Sequence, residues 1–272
     1  MLLNQEEYIE QAFFFRSFQE RLENGYSTQE ILYAMKSELI STVKLPLAVD
    51  YLLTEVKLSG SMSNAMKRMR HYFSPFQTFL IQEAERETGR FDFRTALKVL
   101  EKEAQYRSDS PSIQGLFFYQ FETLSRNRLG FDDGLDAIAG DPIYNENWQQ
   151  WINFPLRQQL GIIDFADLIY VRSEYYKKKP TESDIPILFG EREGRIAYAS
   201  RHRDPMFLFA ALSRHLGYPE VPRLQKTHEE ENLIPVLKRR IELLENRLQL
   251  IEEELNGGIN LERFYKKDFS RS

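Results

Sequence analysis

The sequence predicts a mainly α-helical fold, and three observations carry that reading. Apolar residues recur at steps of three and four through most of the chain. Residues that start and stop helices stand between those stretches at helical spacing. Near the C-terminus a heptad pattern takes over, with Ile234, Leu237, Ile241, Leu244, Leu248, Ile251 and Leu255 at alternating steps of three and four.

The elements follow in order. Tyr8, Ala12, Phe15, Phe18 and Leu22 share one stripe, so residues 5–24 are read as one amphipathic helix ended by Gly25. Ser27 with Glu30 three positions on is a capping box, opening a second helix to about residue 39. Pro46 is tolerated in a first turn, and Gly60 suits a left-handed close. Ser61 or Ser63 then caps a short helix carrying Ala65, Met66 and Met69. Phe73-Ser74-Pro75-Phe76 is the next break, and Thr88-Gly89 ends the helix after it. Ala96, Val99, Leu100 and Ala104 mark a further helix over 91–107. Six helices with short connections predict an N-terminal six-helix bundle over 1–107, because short loops force neighbours to pack antiparallel.

Residues 107–112 are polar and read as a domain boundary. A second domain over 113–225 is predicted mostly helical. It holds an aromatic helix at 113–127, a short helix at 132–139, a helix at 147–160 with Trp148 and Trp151, and a helix at 205–215 closed by Gly217. Residues 165–176 fit helix or strand. The runs 185–189 and 195–199, around Gly190 and Gly194, are β-prone and read as a small β-hairpin. A coiled-coil helix over 230–256 and a tail over 257–272 complete the chain.

Composition bounds the function. The chain of 272 residues, 42% hydrophobic and 28% charged, can build one large core or two ordinary ones. A net charge of −5 argues against broad nucleic-acid binding, though a local basic face such as Lys67, Arg68, Arg70 and His71 is a third alternative. There is no cysteine, which removes thiolate nucleophiles, disulfides and cysteine-based metal sites and agrees with a cytoplasmic setting. The acidic N-terminus is unlike a signal peptide, and apolar runs such as 206–212 fall far short of the ~20 residues that cross a bilayer.

The segment 45–107 carries a resemblance. Gly60-Ser61-Met62-Ser63-Asn64-Ala65-Met66, then Phe73-Ser74-Pro75, then Glu87-Thr88-Gly89-Arg90-Phe91 before an apolar helix resemble the cytoplasmic domain of the type II secretion system F protein and type IV pilus inner-membrane platform family. Phe15 to Leu22 with Gly25-Tyr26-Ser27 look like that family's opening helix pair. The resemblance covers about residues 1–107 and implies a helical bundle that scaffolds other proteins without chemistry of its own. Two departures stand beside it: the family's membrane helices are missing, and its Gly-Glu pair is replaced by Glu85-Arg86.

Four constellations bear on chemistry. With Ile234 at position a, Arg240 and Arg247 fall at g and Glu245 and Glu252 at e, so a parallel pair of these helices would attract across the seam. The interaction residues are therefore the seven heptad positions, with a protein partner or a homodimer as the reading and intramolecular docking as the alternative. Arg201, His202 and Arg203 before Asp204-Pro205 make a candidate anion seat, while Asp204 as N-cap and Pro205 as first helical residue explain the same stretch structurally. An enzyme or small-ligand binder with its site near residues 201–204 is the competing function. Asp132, Asp133, Asp136 and Asp141 resemble a carboxylate cluster for a divalent cation, but helix-dipole and capping roles account for them. His71, His202, His215 and His228 lack zinc-ligand spacing, so no metal, cofactor or catalytic residue is assigned.

Overall fold

The computed structural model describes residues 3–39, 44–86, 91–177, 186–223, 238–239, 241–245 and 247–248. Among them there is no strand, only two isolated bridges, Leu160 with Ile163 and Ser173 with Phe189.

The first half is built as its caps dictate. Helix α1 (Gln5–Glu23) begins where the Asn4 side chain accepts from the Glu7 N–H. The Ser27–Glu30 capping box opens α2 (Thr28–Glu38), with both reciprocal hydrogen bonds formed. Helix α3 (Lys44–Ser59) ends at Gly60, whose φ of 67° is the left-handed conformation a glycine adopts without strain. Ser61 caps α4 (Met62–Arg68). Ser74 caps α5 (Pro75–Glu85) through a second capping box with Gln77, Pro75 taking the first helical position. Helix α6 (Phe93–Ser108) returns along α1.

The second half wraps around α7 (Ile113–Asn127). Every residue from Gly115 to Leu124 on it is buried, so it is a central helix enclosed on all sides. Around it lie α8 (Phe131–Ala139), α9 (Glu146–Trp151), a π-helical turn (Ile152–Leu156) around Pro155, α10 (Arg157–Gln159), α11 (Phe165–Val171), α12 (Glu174–Lys177), α13 (Glu191–Ser200) and α14 (Pro205–Leu216). Residues 165–176, ambiguous in sequence, are thus helical. Asp204 and Gly217 cap α14 at its two ends, Gly217 with a φ of 72°.

The β-hairpin is a correction. Residues 195–199 lie inside α13, and Ile185 is outside the described residues. Gly190 is the extended N-cap of that helix, and Glu191 and Glu193 stand in its first turn, where the helix dipole favours negative charge. Gly194 serves packing, since a Cβ there would stand 2.2 Å from the Ser173 hydroxyl oxygen. What remains of the β reading is a short extended stretch whose Leu188 N–H donates to the Arg172 carbonyl at 2.9 Å.

One hydrophobic core runs from Ala12 to Val221 without a break at 107–112, where α6 turns into α7. Its aromatic centre stacks Phe121 on Phe165 with ring centroids 4.2 Å apart and sets Trp148 and Trp151 against Phe117 at 5.2 Å. Each fully buried ring of this kind contributes roughly 1.5–3 kcal/mol of hydrophobic stabilisation.

Candidate interaction surface

The C-terminal heptad is described from Lys238 to Leu248 except for Arg240 and Asn246, and every described residue there is helical. Ile234, Leu237, Ile251 and Leu255 lie outside the described residues. Of the stripe, Ile241, Leu244 and Leu248 are 53%, 54% and 57% exposed, so the apolar seam faces away from the rest of the chain. Glu245 and Arg247, at positions e and g, are exposed beside it.

The opposite side of the same helix is the one that touches the N-terminal helices. Arg239 pairs with the Glu85 carboxylate at 3.2 Å, donates to the Ala84 carbonyl at 3.3 Å and lies 5.2 Å from the centre of the Phe93 ring. Leu243 packs on the turn after α3, where a Cβ on Gly60 would stand 1.9 Å from the Leu243 Cδ2 atom. Glu242 approaches the start of α2. Burial pushes its carboxyl above the usual range, against the pull of hydrogen bonds from the Gln29 backbone and the Ser27 hydroxyl and of the Arg239 charge.

Glu85 is the hinge of this arrangement. Its Oε1 accepts from the Met62 N–H at 2.7 Å, and its Oε2 accepts from the Ser61 and Ser63 hydroxyls at 2.8 and 2.7 Å and from the Ser63 N–H at 3.2 Å. The carboxylate therefore neutralises the first turn of α4 and still meets a guanidinium. Heptad spacing pointed to the stripe and missed Arg239, Glu242, Leu243 and Glu85. One signal was present: Leu243 is an apolar residue at heptad position c, which a free coiled coil leaves to solvent.

The other sequence candidates are placed differently. Arg201 lies 3.9 Å over the Tyr198 ring and pairs with Asp167 at 3.4 Å, while the His202 N–H donates to Asp164 at 2.6 Å. The Asp204 carboxylate already takes the Met206 N–H at the start of α14. The Arg201 guanidinium and the His202 N–H are thus met by the chain's own carboxylates, while Arg203 is exposed and its N–H donates to the Ser200 carbonyl at 3.3 Å. Asp136 is bonded by Arg157 at 2.5 Å, Asp133 by Arg86 at 3.1 Å, and Asp141 by the buried Arg107. Asp132 and Asp136 share Arg157 while Asp133 and Asp141 turn to other arginines, and among the described residues no group of three His, Asp or Glu side chains stands together as a metal cage. His215 Nε2 lies 3.0 Å from Glu193 Oε1 beside an open depression of about 480 Å³ lined by Glu191, Arg192 and Arg195. A cleft of about 20 Å³, the room of a single water, sits between Tyr8, Tyr72, Arg107 and Asp141. Among the described residues no helix is long and apolar enough to cross a membrane.

No family model, curated protein or solved structure matches the chain.

Proposed function

We propose that this chain is a non-catalytic protein-interaction module that associates through its C-terminal helix. The observation that carries the reading is the orientation of that helix: the side with Arg239, Glu242 and Leu243 meets the N-terminal helices, while Ile241, Leu244 and Leu248 stay more than half exposed. An apolar row held outward on an anchored helix is the geometry of a surface awaiting a partner. The partner we assign is a second copy. Arg240 and Arg247 at g would meet Glu245 and Glu252 at e of a parallel neighbour, so the sequence is complementary to itself.

The N-terminal helices α1–α6 are read as a six-helix bundle that scaffolds other proteins, a soluble relative of secretion and pilus platform domains. The support for that relation is the order of motifs at Gly60 to Met66, Phe73 to Pro75 and Glu87 to Phe91. A cytoplasmic setting fits the same reading.

Sedimentation velocity over a concentration series tests the association. The wild-type chain is expected to move from the mass of one chain to that of two, and Ile241→Asp with Leu244→Asp to stay at one while keeping its far-ultraviolet helical signal. A wild-type chain that remains single throughout the series sinks the reading.

A further inference from the structure

The contacts beneath the C-terminal helix are specific in kind. The Arg239 guanidinium meets a carboxylate, a backbone carbonyl and an aromatic ring at once: Glu85, Ala84 and Phe93. A planar fork of donors that also stacks satisfies all three, and a lysine ammonium does not. The last turn of α5, the start of α6, the start of α2 and the Gly60 turn converge on this place, and the missing side chain of Gly60 leaves the gap that Leu243 fills.

A lone helix of a few turns is marginal in water, because nucleation is unfavourable and each residue gains little. Here the helix carries its apolar row on the solvent side, so that row contributes little to holding it in place. The holding is done by Arg239, Glu242 and Leu243, heptad positions f, b and c. We infer that the face formed by Ser27, Gln29, Gly60, Ala84, Glu85 and Phe93 is a docking seat for this chain's own C-terminal helix, and that seating orders the helix in advance for the partner on its outer stripe. The inference rests on the interaction reading above and adds its regulation. Ordering beforehand lowers the conformational cost of association. By linkage, whatever grips the stripe must also tighten the seat.

Hydrogen exchange and sedimentation on the full chain separate the possibilities. In dilute wild-type protein the amides of residues 241–245 are expected to be protected. Arg239→Glu is expected to raise their exchange about tenfold and to weaken association of two chains by a similar factor. Arg239→Lys should fall between. Arg195→Ala, on the exposed face of α13 and away from both stripe and seat, should leave the seat's exchange unchanged. The amides of Met62 and Ser63, held by Glu85 itself, should stay protected in every variant and report that the fold is intact. If Arg239→Glu exchanges 241–245 at the wild-type rate, the seat is overturned, even where two chains still associate and the stripe reading survives. If the wild-type chain stays single yet loses this protection in Arg239→Glu, the seat is supported and the stripe reading falls.

Discussion

Arg107 and Arg239 each tie separate stretches of the chain together through a carboxylate, but the Arg107 side chain is 2% exposed and that of Arg239 30%. Arg107 lies between Glu103 at 3.0 Å and Asp141, in a network that continues to Gln120 and Tyr144. Burial opposes its charge, yet Asp141 and Glu103 outweigh that and hold the guanidinium firmly protonated. It cannot leave without stranding two buried carboxylates. Arg239 is held less tightly, and without it Glu85 keeps its hydrogen bonds from Met62, Ser61 and Ser63. The same pairing is a fixed part of the fold in one place and a releasable contact in the other.

The largest expected effect tests the fixed member. Arg107→Ala leaves Glu103 and Asp141 without their counter-ion and is expected to lower unfolding stability by roughly 3–5 kcal/mol, read from the urea midpoint. A loss as small as that of a surface pair would break the contrast.

Glu7 is the intermediate case, a buried carboxylate with only a distant cation. It is 5% exposed, its nearest cation is Lys44 Nζ at 4.0 Å, and its Oε2 has no hydrogen-bond partner. Burial raises its carboxyl above the ordinary 4.5, and Lys44 lowers it too weakly to compensate. The folded chain then keeps a proton that the unfolded chain has released, so this group's contribution to stability falls as pH rises above 4.5. Glu7→Gln is expected to raise Tm by about 2 °C at neutral pH, with the gain vanishing in acid below the unfolded carboxyl range. A gain that persists unchanged in acid would assign it to packing.

The smallest effect belongs to an arginine at the surface. Arg195 pairs with Glu191 one turn away at 2.6 Å, with the arginine side chain 63% exposed. Arg195→Ala is expected to change stability by no more than about 0.5 kcal/mol, and less in high salt.

What the sequence made legible follows from the range of each interaction. Ser27, Ser74, Asp204 and Gly217 act within three or four residues of themselves, and each stands at the helix boundary predicted for it. Gly190 and Gly194 were misread because glycine has two uses. A turn needs its backbone freedom, whereas α13 needs its lack of a side chain against Ser173, a partner twenty-one positions earlier that no local pattern announces. The meeting of Glu85 with Ser61, Ser63 and Arg239 was hidden for the same reason. The exposed row at Ile241, Leu244 and Leu248 was legible because its period is local. The face beneath it was not.

The pairing of α1 with α6 sets an order of events during synthesis. Phe14, Phe15 and Phe18 are made about seventy residues before the helix that runs along them. Until then only part of their cover is in place: Phe73 reaches Phe15 with ring centroids 6.5 Å apart, while Phe18 waits for Phe93 at 6.1 Å. Such distant pairing slows folding and leaves nascent chains sticky. Fewer translation pauses before residue 93 are therefore expected to raise the yield of folded chain, measured as the soluble fraction.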